Sequence, residues 1–175
     1  MKRISGSIYP DEGKILYQLA DMIEARHVLE LGTFVGYSTN YLANAVRANW
    51  GLKGQVDTVD LVWYWGGVWR GRAIAPLNRL VVRQHKSDAL SYLLRCRDKR
   101  FDMIFEDTSH TYPNTKAIIR AAKHKLRPGG ILVIHDATSP VVGVAAAVAD
   151  SGLLFATYHT ECGLAVWHKP KEVAG

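Results

Sequence analysis

Short β-branched runs alternate with stretches of helical period along most of this chain, and few folds accommodate that alternation. Each run-and-helix pair is a βα unit, and βα units in series build a parallel sheet covered on both faces. Ile15, Leu16, Leu19, Met22 and Ile23 recur at helical spacing, which predicts an amphipathic helix over 11–24. Strands are expected at 28–31, 56–60, 80–84, 103–106 and 131–134, the last a continuous apolar run suited to a doubly covered strand. Helices are expected at 37–47 and 89–97. Another starts at Pro113, packs Ile118, Ile119, Ala122 and Leu126 inward, and stops at the breaker Arg127-Pro128-Gly129-Gly130. After a small-residue helix at 141–149 the pattern changes. Runs at 154–160 and 164–168 are separated by Glu161-Cys162-Gly163 alone, which makes a hairpin and not a crossover. The expected fold class is α/β: a mostly parallel sheet with a C-terminal antiparallel hairpin and helices on both faces.

The 175 residues, 48% of them hydrophobic, suffice for one domain over 1–175 and leave no room for a second of normal size. Any active site must therefore be carved from one fold. Residues 1–13 contain Lys2 and Arg3 but no following apolar run, so no signal peptide is expected. The longest weakly polar stretch, 141–149, is too short to span a bilayer, and a soluble protein without membrane contact is expected. Cys96 and Cys162 lie far apart and form no CxxC pair, which fits a reducing, cytoplasmic setting. The net charge of +6, with basic clusters at 95–100 and 116–127, admits two readings. It attracts an anionic substrate or nucleic acid, or it is a solvated helix face where basic and apolar residues alternate.

Ligands on such sheets bind beyond the carboxyl ends of the strands, near the reversal of strand order. There the chain reads Val28-Leu29-Glu30-Leu31-Gly32-Thr33-Phe34-Val35-Gly36-Tyr37-Ser38-Thr39. Gly32 lets the backbone turn sharply off the strand, and Gly36 permits close approach at the helix start. The helix N-terminus offers free N–H groups and a positive dipole end to an anion. The GxxxG spacing lacks the GxGxxG that brings backbone against a pyrophosphate. Glu30, a carboxylate inside the turn, repels phosphates and suits a cationic ligand. S-adenosyl-L-methionine has that chemistry, with an ammonium, a sulfonium and one carboxylate; the alternative is a strand-to-helix turn without a ligand. Asp60 ends the second strand thirty residues after Glu30, placed to accept hydrogen bonds from ribose hydroxyls or to cap its own strand end. Ser87 and Asp88 follow the third strand, where Asp88 takes an adenine amino group, caps the next helix, or does both. Glu30, Gly32, Gly36, Ser38, Asp60, Ser87 and Asp88 are thus the candidate cofactor contacts.

At this point the chain resembles a family. VLELGTFVGYSTNYLA is similar to the first motif of class I S-adenosylmethionine-dependent methyltransferases, above all the catechol O-methyltransferase branch. VDTVDL, SDAL, FDMIFED and LRPGGILVIHD follow in that family's order, so the likeness runs from about Pro10 to His168. It implies a Rossmann-like, seven-stranded sheet and methyl transfer.

Methyl transfer is an in-line displacement at carbon, to which an enzyme contributes positioning and an activated nucleophile. A hydroxyl is a poor nucleophile until its proton leaves, so an O-methyltransferase needs a base, a Lewis acid, or both. The fourth strand delivers Glu106-Asp107-Thr108-Ser109-His110-Thr111-Tyr112 to the site edge and the fifth delivers His135-Asp136. This resembles the metal site of magnesium-dependent O-methyltransferases, including macrolide enzymes with an Asp-x-Ser-His sequence here. The likeness implies Asp107, His135 and Asp136 as metal ligands and His110 as general base. His135 departs from the family, which usually has a carboxylate there. Imidazole is a poorer ligand for Mg²⁺ than for Mn²⁺, Fe²⁺ or Zn²⁺. Either the metal differs, or His135 orients Asp136, or no metal binds; His110 has a capping role at the helix start as its alternative.

The expected partner is a small hydroxylated acceptor. A nucleic-acid amino-methyltransferase would share the fold and suit the charge, but such enzymes resemble one another in an Asn/Asp-Pro-Pro-Tyr-like turn where this chain has Asp107-Thr108-Ser109-His110. A non-catalytic module that senses S-adenosylmethionine is the other alternative. The segment 62–72, with Trp63, Tyr64, Trp65, Trp69, Arg70 and Arg72, is a lid or adenine platform, a packed replacement for a crossover helix, or a homo-oligomer contact.

Overall fold

The computed structural model describes residues 6–62, 74–140 and 143–172. In chain order the elements are α1 (Pro10–Met22), β1 (His27–Leu31), α2 (Tyr37–Trp50), β2 (Gln55–Asp60), β3 (Val82–Lys86), α3 (Ala89–Arg95), β4 (Phe101–Glu106), α4 (Tyr112–Lys125), β5 (Leu126–His135), α5 (Val144–Ala149), β6 (Ala156–Tyr158) and β7 (Leu164–His168). The strands form one seven-stranded sheet in the order β3-β2-β1-β4-β5-β7-β6. The first five are parallel to one another, and β7 runs antiparallel to both β5 and β6. This is the Rossmann-like architecture expected from the sequence. Strand order reverses between β1 and β4, so a crevice opens at their carboxyl ends.

Successive strand residues face opposite sides, and the core divides accordingly. Val28, Val56, Met103, Phe105 and Val133 pack under α1 and α2 with Leu16, Leu19, Leu42 and Val46. Leu29, Leu31, Val59, Ile104, Leu132 and Ile134 pack on the other face against Leu93 of α3, Ile118 and Ile119 of α4, and Val144 of α5. The helices begin where local chemistry permits. Pro10 opens α1, where a missing N–H costs nothing, and the Asp88 side chain caps α3 by accepting the Ser91 N–H at 2.7 Å. Lys123, His124 and Lys125 in the last turn of α4 oppose the negative end of its dipole.

Two expected elements differ. The third strand starts at Val82, and residues 78–80 form a 3₁₀ turn. Asn78 is fully buried there; its amide donates to Asn40 and Asn44 Oδ1, each at 2.8 Å, and accepts from Arg47 Nε at 2.9 Å. That polar anchor outweighs the strand propensity of the neighbouring residues. The breaker after α4 ends the helix at Lys125, but the chain pairs with β4 immediately. A register shift takes β5 from Leu126 opposite Phe101 to Ile131 opposite Met103, and the bulge absorbs Pro128 and Gly129. The helix expected at 141–149 is α5 from Val144; Val141 and Val142 lie outside the described residues, as do residues 63–72 of the aromatic segment. Among the described residues no helix is long and apolar enough to cross a membrane.

Candidate active site

A cavity of about 370 Å³ opens over the carboxyl ends of β1, β2, β3 and β4. The β1–α2 turn and the ends of β2 and β3 supply Gly32, Ser38, Asp60 and Asp88 to its wall, and the segment after β4 supplies Asp107 and His110. Its size lies within the range of small-ligand sites.

The first group is built on the β1–α2 turn. Gly32 has φ +96°, and a Cβ on it would overlap the carbonyl oxygen of Asp107, the residue that follows β4. The glycine is thus required by close packing of β1 against β4 as well as by its φ, a constraint the sequence did not display. Gly36, at φ +78°, makes the left-handed turn into α2. Among the described residues no side chain caps that helix, which leaves its leading N–H groups directed toward the cavity rim lined by Tyr37 and Ser38.

Asp60 ties the turn down. Its Oδ2 accepts the Thr33 and Phe34 N–H groups at 3.0 and 2.9 Å, and its Oδ1 accepts the Val62 N–H at 3.1 Å. Ser87 and Asp88 line the same wall. Glu30 is placed differently from the expectation. Residues 28 and 30 of β1 share the face covered by α2, so the Glu30 carboxylate points under the turn and does not line the cavity. It is fully buried and accepts from Ser38 Oγ, Thr39 Oγ1 and Thr58 Oγ1 at 2.5, 2.5 and 2.6 Å. Burial pushes its pKa up to about 7 against those three hydrogen bonds. Ser38 therefore both lines the cavity and anchors Glu30.

Just past β4 and at the end of β5, Asp107, His110, His135 and Asp136 offer ligand atoms that all lie within 4.8 Å of one another. His110 Nε2 is 3.0 Å from Asp107 Oδ1 and 3.2 Å from Asp136 Oδ2. His135 Nδ1 is 3.1 Å and 3.3 Å from the same two oxygens. Burial would raise the Asp107 carboxyl, but hydrogen bonds from His110 and His135 hold it at about 2. The hydrogen bond to Asp107 raises His110 against its desolvation. Burial would lower His135, yet its bonds to Asp107, Asp136 and Glu12 raise it. His110 and Asp136 adopt φ +56° and +57°, a conformation that costs a non-glycine residue about 1–2 kcal/mol. Two such residues in one cluster mark a constellation held in place by its surroundings. Two carboxylates and two imidazoles at this spacing fit a divalent cation, and the nitrogen donors favour Mn²⁺, Fe²⁺ or Zn²⁺ over Mg²⁺.

Sequence reasoning missed Glu12. It is fully buried in the first turn of α1, with its Oε2 3.1 Å from His135 Nε2. Nothing in the local pattern distinguishes it from an ordinary acidic residue at a helix start. Asn114, which lines the cavity and donates to Thr108 Oγ1 at 2.9 Å, was also missed.

A family model described as a methyltransferase domain matches residues 29–137, more than half of the chain. A catechol O-methyltransferase of Niastella koreensis is 31% identical over 139 residues, covering 74% of this chain and 58% of that protein. A catechol O-methyltransferase of Mycobacterium tuberculosis is 31% identical over 134 residues, covering 74% of this chain and 56% of that protein. The chain thus spans less than two thirds of the length of these relatives. The O-methyltransferase TomG of Streptomyces achromogenes, solved in complex with S-adenosylmethionine, superposes with a TM-score of 0.71 at 24% identity, over 94% of this chain and 82% of that one. At that identity the superposition speaks for the fold alone. By the family match and the sheet it is built on, the chain belongs to the methyltransferase domain family, on the Rossmann-like fold of class I methyltransferases.

Proposed function

We propose that this chain is an S-adenosylmethionine-dependent O-methyltransferase that acts on a hydroxyl of a small molecule with the help of a divalent metal ion. The observation that carries the reading is that one cavity is lined both by Gly32, Ser38 and Asp60 and by Asp107 and His110. S-adenosylmethionine supplies an activated methyl on its sulfonium, and the ion supplies a Lewis acid that lowers the pKa of an acceptor hydroxyl.

The chain's own residues do the rest. The leading N–H groups of α2 bind the cofactor carboxylate. Asp60 has one acceptor site of Oδ1 left for a ribose hydroxyl once its three backbone bonds are counted. Ser87 and Asp88 border the adenine. Asp107, His135 and Asp136 would hold the ion, and His110 Nε2, at the cavity wall, would take the acceptor proton. Asp107 and Asp136 beside it stabilise the imidazolium that results. Both cysteines are free, which supports a cytoplasmic setting, and the acceptor is a small hydroxylated molecule and not nucleic acid.

The test is transfer of a labelled methyl group to a panel of catechols and other hydroxylated acceptors, with Mn²⁺, with Mg²⁺, and with excess chelator. Turnover that chelator abolishes and metal restores is expected. Turnover undiminished in chelator would remove the metal, and cofactor binding without turnover on any acceptor would favour a sensing module.

A further inference from the structure

Building on the metal reading above, we infer that Glu12 is a positioning residue for the metal centre, fixing the tautomer and the ring orientation of His135. Glu12 has no exposure to solvent, and both of its oxygens are engaged. Oε2 accepts the Tyr9 N–H at 2.7 Å and faces His135 Nε2 at 3.1 Å. Oε1 accepts from Thr160 Oγ1 at 2.7 Å and from the Cys162 N–H at 3.2 Å. The carboxylate is therefore clamped between the start of α1 and the turn between β6 and β7, and it presents only an acceptor to the imidazole.

The hydrogen of a neutral His135 must then sit on Nε2. The lone pair falls on Nδ1, the nitrogen that faces Asp107 Oδ1 and Asp136 Oδ2. Histidines that bind metals commonly donate their other ring N–H to a carboxylate, which orients the ring and raises its basicity. The same contact lets a histidine serve at a position where the family that the sequence resembles usually has a carboxylate. The charge lies one step further from the ion, on Glu12.

The test is calorimetric titration of Mn²⁺ into wild type, Glu12→Gln and Thr160→Val, with S-adenosylhomocysteine affinity measured on the same samples. Glu12→Gln should weaken Mn²⁺ binding by about 10–100-fold, the usual effect of losing such a partner, and leave cofactor affinity nearly unchanged. Thr160→Val, which loosens the clamp but spares the contact with His135, should weaken Mn²⁺ binding less. Tight Mn²⁺ binding by wild type that Glu12→Gln leaves unchanged would overturn this inference alone. Absence of Mn²⁺ binding by wild type would overturn the metal reading and this inference with it. Should Glu12→Gln not fold, long-range ¹H–¹⁵N correlation spectra of Zn²⁺-loaded wild type decide the matter. Protonated Nε2 and metal-bound Nδ1 on His135 are expected, and the opposite assignment overturns the inference.

Discussion

His110 carries the heaviest chemical assignment of any residue. It sits three residues past Asp107, at a positive φ, with Nε2 between the carboxylates of Asp107 and Asp136 and a side chain about one-third exposed to the cavity. His110→Ala should lower kcat by about 10²–10⁴-fold, the ordinary worth of general-base catalysis, with little change in cofactor affinity measured by calorimetry. A mutant with near-normal kcat and poor cofactor binding would make His110 a structural residue. Glu30 has the opposite character, a buried group whose effect falls on stability. Its folded pKa of about 7 lies above the ordinary 4.5, so the native state holds a proton that the unfolded chain releases. That contribution is fully present below pH 4.5 and is lost as pH rises through about 7. Its size is at most about 3 kcal/mol. Glu30→Gln stays neutral at every pH. Urea unfolding at pH 5 and pH 8 should show the mutant gaining on wild type at the higher pH, and equal gaps at both would refute the assignment.

At the scale of elements, strand ends decide what reaches the site. β1 and β2 deliver the turn and its Asp60 anchor, while β4 and β5 deliver Asp107 and the His135-Asp136 pair. Those placements were legible in the sequence because short β-branched and apolar runs, whose side chains alternate between the two faces of the sheet, locate strand ends to within a residue or two, and the polar residues that follow must sit at the carboxyl edge. The orientation of Glu30 was implicit in the same alternation, which puts residues 28 and 30 on one face, but the ligand's charge drew the reading toward the cavity. Glu12 was not legible at all, since its partner His135 is 123 positions away. The start of β3 was missed for a related reason, because Asn78 answers to side chains on α2 and not to its neighbours in sequence. Asn78→Ala should therefore cost about 1–3 kcal/mol in denaturant unfolding, leaving Asn40, Asn44 and Arg47 without their buried partner. A loss below about 0.5 kcal/mol, typical of surface substitutions, would show that the 3₁₀ turn does not depend on it.

Across the whole molecule, the proposed function has one cavity serve two binding tasks, with the ends of β1–β3 proposed for the cofactor and those of β4–β5 for the ion and the base. The two halves meet because Gly32 lets the end of β1 press against Asp107, so the β1–α2 turn and the Asp107 cluster share a boundary. The most direct measurement of that claim uses S-adenosylmethionine carrying ¹³C in its reactive methyl, bound to the protein and titrated with Mn²⁺. The methyl resonance of the bound cofactor should broaden strongly as Mn²⁺ loads, and Asp107→Asn, which removes a proposed ligand, should shift the broadening to higher Mn²⁺ concentrations. A methyl resonance that stays sharp with both cofactor and Mn²⁺ bound would contradict it, because the two would then occupy separate sites.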